Sequence, residues 1–369
     1  MTATTPLRPF HLVVYSDAQQ LGGAEVTLGL LLGGLPEQVR VSIVCVDDEV
    51  GRWLCGHRPG MTHVVVDPIE SRSQFGRMRA HRRAFRQLKG DIIQFNLSMA
   101  SSCQWAIAVA VFMPGTKVVA VENSSMGAWS STSRLLKRVT SPRLRAHLAV
   151  GEATARFLEE QSGLARGSIE TMYHGVADVP LDVAHDGEGP VICNIARHDP
   201  VKGVDVLLDA MPLVDPEVRL VQIGGGPLRD ELVARRDRLG LRDRVEFREL
   251  PWEDRVADLL AGFDLFVLPS RIEGLPVSIM EAMLAGLPIV VTDVGSVREE
   301  VVDGENGLIV PPEDPAALAG AINELMADPD RRARMGQRSR EIASERFTVA
   351  ATVDRYLDVY RRVLAGVSR

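Results

Sequence analysis

Long apolar runs are missing from this chain. The longest, Trp105–Met113, has nine residues, and a bilayer-spanning helix needs about 20, so no membrane span is expected. Met1–Pro9 lacks the apolar core that follows the basic start of a secretory signal, which gives the expectation of a cytoplasmic protein. Cysteine is scarce: residues 45, 55, 103 and 193 form no Cys-x-x-Cys and no metal-ligand spacing, and are expected to be reduced thiols, mostly buried. Low-complexity tracts and short internal repeats are absent too. Hydrophobic residues at 46% and charged residues at 25% exclude a disordered or collagen-like chain. A basic field across a whole domain, the usual footprint of a nucleic-acid binder, is also lacking. Residues 1–180 carry 19 Lys/Arg against 15 Asp/Glu, and the remainder 23 against 34. No nucleic-acid partner is expected.

With 369 residues the chain is long enough for two domains, at roughly 150 residues each. Short apolar strands at His11–Tyr15, Val41–Val46, His63–Val66, Asp91–Phe95, Lys117–Val121 and Leu148–Val150 alternate with helical stretches such as Ala24–Leu32 and Met78–Leu88. Val179–Pro190, rich in Pro, Gly and Asp, reads as a linker. The alternation then restarts, with strands at Val191–Ile195, Val218–Ile223, Val245–Phe247, Leu265–Leu268 and Ile289–Thr292. Helices are expected between them (Asp254–Leu260 and Pro276–Ala285 included), and at about Pro315–Ala327, Pro329–Ser344 and Val349–Val363. Alternation of this kind means βαβ units and parallel sheets. The predicted fold class is α/β, with two doubly wound, Rossmann-like domains facing a cleft, split at 180/181. Ligands in such sheets bind at the carboxyl ends of the strands.

Four motifs sit at those ends. Glu273-Gly-Leu-Pro-Val-Ser-Ile-Met-Glu281 puts one carboxylate on the loop after Leu265–Leu268 and a second on the following helix. Pro276 suits the first helical position and Gly286 the residue past the helix end, so the helix N-terminus would offer free N–H groups to an anion. Arg197 and Lys202, five apart after Val191–Ile195, can both turn to one phosphate-sized anion, or pair blandly with Asp199 and Asp205. Gly224-Gly225-Gly226 allows close backbone approach. Gly22-Gly23-Ala24-Glu25 holds the matching place in the first half but lacks the Lys-Ser/Thr of a Walker A loop. Asp47-Asp48 reads as an acidic turn rather than a metal pair.

These residues resemble glycosyltransferase family 4, nucleotide-sugar-dependent transferases of the GT-B fold. The resemblance rests on GGAE (22–25), ARHDPVKG (196–203), GGGP (224–227), FDLFVLPSRIEGLPVSIMEAMLAGLPIVVTDVG (263–295) and NGLIVPPEDPAALA (306–319). It implies a retaining, metal-independent transferase that needs no cofactor and moves a hexose-type unit from a nucleoside diphosphate sugar to a hydroxyl acceptor. Residues 1–180 would bind acceptor and 181–348 donor, with 349–369 a helix crossing back to the first domain. Arg197 and Lys202 would hold the diphosphate, Glu273 would contact the transferred sugar, and Glu281 would bind the ribose. The main chain at Gly274, Leu275, Pro276 and Val277, with Gly224 and Gly225, would add to donor binding. Gly22 and Gly23 would let the first domain close on the donor. The family's histidines are missing: Asn96, Glu122 and Asn123 stand near their places and are the acceptor-side candidates. His174 reads as a turn residue. Base-reading contacts are expected near Arg248–Pro251.

Arg72, Arg77, Arg79, Arg82, Arg83, Arg86 and Lys89 stand in a stretch without an acid, and Arg134, Lys137, Arg138, Arg143 and Arg145 form a second cluster. Either is a solvated helical face or a surface for anionic lipid, where each cation adds about 1 kcal/mol. A peripheral contact through Arg77–Lys89 and a lipid-linked acceptor are therefore expected partners. Two other classes fit the scaffold: a nucleotide-sugar epimerase or glycan phosphorylase, for which no acid/base set or cofactor lysine is visible, and a non-catalytic sugar-nucleotide sensor. Nucleotide base, sugar, acceptor identity and oligomeric state leave no readable mark.

Overall fold

The computed structural model describes residues 8–125, 127, 129–178, 189–249, 259–260 and 262–366. It divides into two units, one made of residues up to Gly175 together with those from Val349 onward, the other running from Val176 to Thr348. The division falls at Gly175–Val176 rather than at 180/181. Val176 already belongs to the second unit, because its N–H donates to the Phe347 carbonyl at 2.9 Å. Most of the expected linker, 179–188, lies outside the described residues.

The first unit is a parallel sheet of β1 (Phe10–Ser16), β2 (Val39–Cys45), β3 (Thr62–Val65), β4 (Ile92–Leu97), β5 (Val118–Glu122), β6 (Ala146–Ala149) and β7 (Glu170–Thr171), in the order β3-β2-β1-β4-β5-β6-β7. The connecting helices are α1 (Gly23–Gly34), α2 (Asp48–Cys55), α3 (Phe75–Leu88), α4 (Gln104–Val111), α5 (Ser131–Thr140) and α6 (Glu152–Ser162). Strands β1, β4, β5 and β6 are buried along their whole length, as parallel strands covered on both faces must be, which is why they read as continuous apolar runs. The edge strand β7 has two residues, too short to leave a periodic signal.

The second unit repeats the plan. Strands β8 (Val191–Ile195), β9 (Arg219–Ile223), β10 (Val245–Arg248), β11 (Leu265–Leu268), β12 (Ile289–Thr292) and β13 (Gly307–Val310) form the sheet β10-β9-β8-β11-β12-β13. Its helices are α7 (Val204–Ala210), α8 (Arg229–Arg238), α9 (Val277–Leu284), α10 (Pro315–Met326) and α11 (Pro329–Arg346). The expected helix at 254–260 falls mostly on residues outside the description. Strand β13 is not among the expected strands, since Gly307 opens it where turn chemistry is the usual reading. In each sheet the order reverses between two neighbours, β1 and β4 in the first and β8 and β11 in the second. The crevice at such a reversal is where doubly wound folds bind ligands.

Helix α12 (Val349–Ala365) packs on the first unit. Its Tyr360 is fully buried, meets Phe10 edge-on at 5.7 Å, and donates its hydroxyl to Gln94 Oε1 on β4 at 2.6 Å. Lys117 Nζ reaches the Leu364 carbonyl at 2.9 Å, and Arg362 pairs with Glu170 at 2.8 Å. Tyr360→Phe strips buried Gln94 of its partner, and its Nε2 already has none. An unsatisfied buried polar group costs about 1–3 kcal/mol, so Y360F melts below the wild type. Equal melting temperatures in a thermal scan would mean that this bond fastens nothing.

Candidate functional site

The second unit gathers its polar side chains where β8 and β11 end. After β8, Asp199 accepts from the Val201 N–H and starts the short 3-10 turn Pro200–Lys202, which aims the Lys202 side chain. Gly203 ends the turn at φ 63°, and a Cβ there would strike the Pro269 carbonyl, so the position requires glycine. After β11, the chain returns along the same turn: the Arg271 N–H donates to the Val201 carbonyl at 2.8 Å. The Arg271 guanidinium grips Asp205 through two bonds of 2.8 Å, and also Glu313 and the Pro200 carbonyl. These bonds raise its pKa further above the guanidinium range. Two loops that are distant in sequence are thereby fixed together.

That fixing brings Lys202 to Glu273. Lys202 Nζ lies 2.7 Å from Glu273 Oε1, and the Ser270 hydroxyl donates to the same oxygen at 2.6 Å. Glu273 is buried. Ser270, also buried, has its carbonyl bonded by the Thr292 hydroxyl at the end of β12. Gly274 and Leu275 lead into α9, with Pro276 as the N-cap rather than the first helical residue (φ −69°, ψ 115°). Val277 is thus the first helical residue; its N–H and that of Ser278 have no acceptor within the helix, while the Ile279 N–H donates to the Pro276 carbonyl at 3.2 Å. Glu281, in the second turn, is half-buried, and burial pushes its carboxyl up to about 8.

Arg197 does not join them. It is mostly exposed and pairs with Asp199 at 2.8 Å, the blander of its two expected arrangements. Asp205, the other proposed partner of the loop cations, is held by Arg271 instead. The glycine loop after β9 lies on residues 196–198: a Cβ on Gly224 would strike the Ala196 carbonyl, Gly225 accepts from the His198 N–H at 2.8 Å, and its Cα faces open space. His198 is fully buried; burial first, then Arg229, pushes its pKa down to about 4, so it is neutral. Arg248 is paired with Glu246 on its own strand, and residues 250–251 lie outside the description.

In the first unit, Gly22 caps α1 and Gly23 opens it. Asn96, buried at the end of β4, accepts from Asn123 Nδ2 at 3.0 Å, which leaves Asn96 Nδ2 and Asn123 Oδ1 without partners. Glu122 points elsewhere. It is 1% exposed, with Lys137 against one oxygen and His147 Nε2 at 2.8 Å from it. Burial works to raise its pKa, but Lys137 and His147 outweigh it and hold the carboxyl below the ordinary range. Glu122 is therefore an interior ion-pair residue, not an acceptor contact. The same observation corrects the second basic cluster, since Lys137 is 2% exposed and lies 5.6 Å from the Trp129 ring. Asp47 is the N-cap of α2 and Asp48, its first residue, pairs with Arg52 and His63, so the acidic pair opens a helix rather than making the expected turn. His174 is buried, and burial pushes it down to about 4. On α3, Arg79, Arg82, Arg83 and Arg86 are exposed, followed by Lys89, whereas Arg77 bonds the Pro68 carbonyl. Phe75, at the start of that helix, is 66% exposed. No helix among the described residues is long and apolar enough to cross a membrane.

Sequence reasoning missed Ser270, Thr292, Arg271 and Glu300 in this neighbourhood. A Ser two residues past the end of a buried strand and an Arg two residues before the acid were the available signals. Glu300, fully buried with both carboxyl oxygens unpartnered, left none, because it stands beside the similar Glu299.

Known proteins share this layout. The family model described as Glycosyltransferase Family 4 matches residues 21–178, and the one described as Glycosyl transferases group 1 matches residues 181–342. A D-inositol 3-phosphate glycosyltransferase of Xylanimonas cellulosilytica is 37% identical over 177 residues, covering 47% of this chain and 42% of the relative. A GDP-mannose-dependent alpha-(1-6)-phosphatidylinositol monomannoside mannosyltransferase of Mycolicibacterium smegmatis is 34% identical over 212 residues, 54% and 52% of the two chains. The chain thus spans about half the length of these curated relatives. Among solved structures, Anabaena HepE in complex with UDP-glucose superposes with a TM-score of 0.81 over 95% of this chain and 99% of that one, at 21% identity, a likeness of fold.

Burial of Glu281 yields a stability test. Its folded pKa of about 8 lies above the ordinary 4.5, so the native state holds the proton more tightly. That contribution is complete below about 4.5 and fades as pH rises to about 8. In thermal melts, Glu281→Gln is expected to gain on the wild type across that window. A constant difference would contradict the burial argument.

Proposed function

The chain belongs to the glycosyltransferases of family 4 and group 1, and we propose that it transfers a hexose-type sugar from a nucleoside diphosphate sugar to a hydroxyl acceptor, with retention of configuration and without a metal ion. The observation that carries this reading is the buried Glu273 carboxylate, held by Lys202 and Ser270 at the strand-order reversal of the second sheet. A carboxylate presented there accepts hydrogen bonds from sugar hydroxyls. Lys202 and the first amides of α9 supply positive potential for a diphosphate, and the exposed Arg197 adds to it by turning from Asp199. Glu281 takes the ribose hydroxyls.

The bond from the anomeric carbon to the diphosphate oxygen breaks, and a bond to the acceptor oxygen forms on the same face. The acceptor's proton passes to the leaving phosphate oxygen. No protein base is required on the acceptor side, which suits Asn96 and Asn123, since an amide cannot take up the proton. Their unpartnered Nδ2 and Oδ1 atoms suit the hydroxyls of a glycan or cell-envelope intermediate. Charge stabilisation by preorganised cations and amides does the work that a divalent ion would otherwise do. An epimerase or a sensor would not need this combination of leaving-group cations with an open amide site.

A thermal-shift screen with UDP, GDP, ADP and dTDP identifies the base, since a ligand that binds only the folded state raises its stability. With the matching sugar nucleotide, Glu273→Ala and Lys202→Ala are each expected to lower turnover about a hundredfold or more while the variants stay folded. Rates near the wild type in either variant would refute the roles of both side chains.

A lipid-linked acceptor and a peripheral contact with anionic membrane through Arg77–Lys89 form the finer part of the proposal. The exposed arginines of α3 beside the exposed Phe75 support it. In vesicle sedimentation at low salt the protein is expected to pellet with anionic vesicles and not with neutral ones; equal partitioning removes the membrane contact.

A further inference from the structure

A second carboxyl stands behind Glu273. Glu300 follows the 3-10 turn Val297–Glu299 and is 0% exposed. Its main chain is engaged: the N–H donates to the Val297 carbonyl at 3.0 Å, and the carbonyl accepts from Asn306 Nδ2 at 3.3 Å. Neither carboxyl oxygen has a hydrogen-bond partner among the described residues. The segment leading to it lies directly on the Glu273 loop. The Ser296 N–H donates to the Gly274 carbonyl at 3.0 Å, and a Cβ on Gly295 would strike the Glu273 carbonyl.

Burying an ionised carboxylate without partners costs far more than burying the uncharged acid. The charged groups facing Glu300 are Glu273 from the loop before α9, Glu299 from its own turn and Arg346 from the end of α11. Burial, then Glu273 and Glu299, favour the acid form, against the weaker pull of Arg346. Glu273 is already occupied with Lys202 and Ser270, so neither is spare to neutralise a second anion.

We propose that Glu300 is a positioning residue of the donor site: held as the uncharged acid behind Glu273, it keeps Glu273 the single anion facing Lys202 and leaves the Lys202 ammonium available to the donor diphosphate. Ionisation of Glu300 would set a second negative charge against the Glu273 loop, drawing Lys202 inward and opposing an anionic ligand. The inference rests on the donor-site reading and adds a residue to it that touches neither sugar nor phosphate.

Glu300→Gln keeps the shape and fixes the uncharged state; Glu300→Met does so without an amide to seat. In the infrared difference spectrum of the wild type against E300Q at neutral pH, one protonated-carboxyl C=O stretch is expected beyond the Glu281 band that both share. In thermal melts, E300Q is expected to gain on the wild type as pH rises above the ordinary carboxyl value of about 4.5, because the contribution of the raised pKa is complete below that value and fades as pH rises through the folded-state value. With UDP-glucose as probe, E300Q is expected to turn over within about threefold of the wild type at neutral pH and to hold its donor KM on the alkaline side, where that of the wild type rises. A difference spectrum in which E300Q loses no protonated-carboxyl band, a pH-independent stability difference, or a turnover loss of about a hundredfold in both folded variants would overturn the proposal. The spectral and unfolding readouts involve no ligand, so they succeed or fail independently of the donor reading.

Discussion

The meeting of the Lys202 ammonium with the buried Glu273 carboxylate is the contact around which the second unit is arranged. Glu273 is buried, and the partly exposed Lys202 balances its charge. The pair demands that two loops from non-adjacent strands reach the same spot, and the surrounding residues secure this. Gly203 lets the first loop turn against Pro269, Arg271 clamps the second loop to the first, and the Ser270 hydroxyl fixes the carboxylate's orientation. A sheet whose strand order reverses between β8 and β11 supplies the only scaffolding these loops need.

Much of this was legible in the sequence, for identifiable reasons. Strands buried on both faces are rich in apolar residues, Val, Ile and Leu above all, so β1, β4, β5, β8, β11 and β12 announced themselves, and their alternation with helices dictated a parallel sheet. Glu273, Lys202 and the start of α9 were legible because strand ends, Pro and Gly mark loop positions by local chemistry. What could not be read is pairing. Arg197 and Lys202 look equivalent in the chain, yet one pairs with its neighbour Asp199 and the other reaches across to Glu273. Glu122 looked like a loop acid beside Asn123, but it ends a fully buried strand and turns inward to Lys137 and His147. One residue of register separates a side chain in the core from one at the rim.

The two sheets use their polar groups differently. In the first unit, the ion pair is sunk in the interior, and the strand-end positions carry amides, Asn96 and Asn123, with hydrogen-bonding capacity left over. In the second, the ion pair itself stands at the strand ends. Neutral amides discriminate by hydrogen-bond geometry, whereas an ammonium and a carboxylate attract by charge. The same architecture thus offers two kinds of recognition by changing which side chains sit at its edge.

Helix α12 has a bearing on biosynthesis. Tyr360 donates to the Oε1 of Gln94, 266 residues upstream, and the whole of the second unit is translated between them. A nascent chain therefore has every residue of its later unit in hand while its earlier one still lacks a wall. The contacts of α12 with β4 therefore cannot form until the residues after Thr348 have been made.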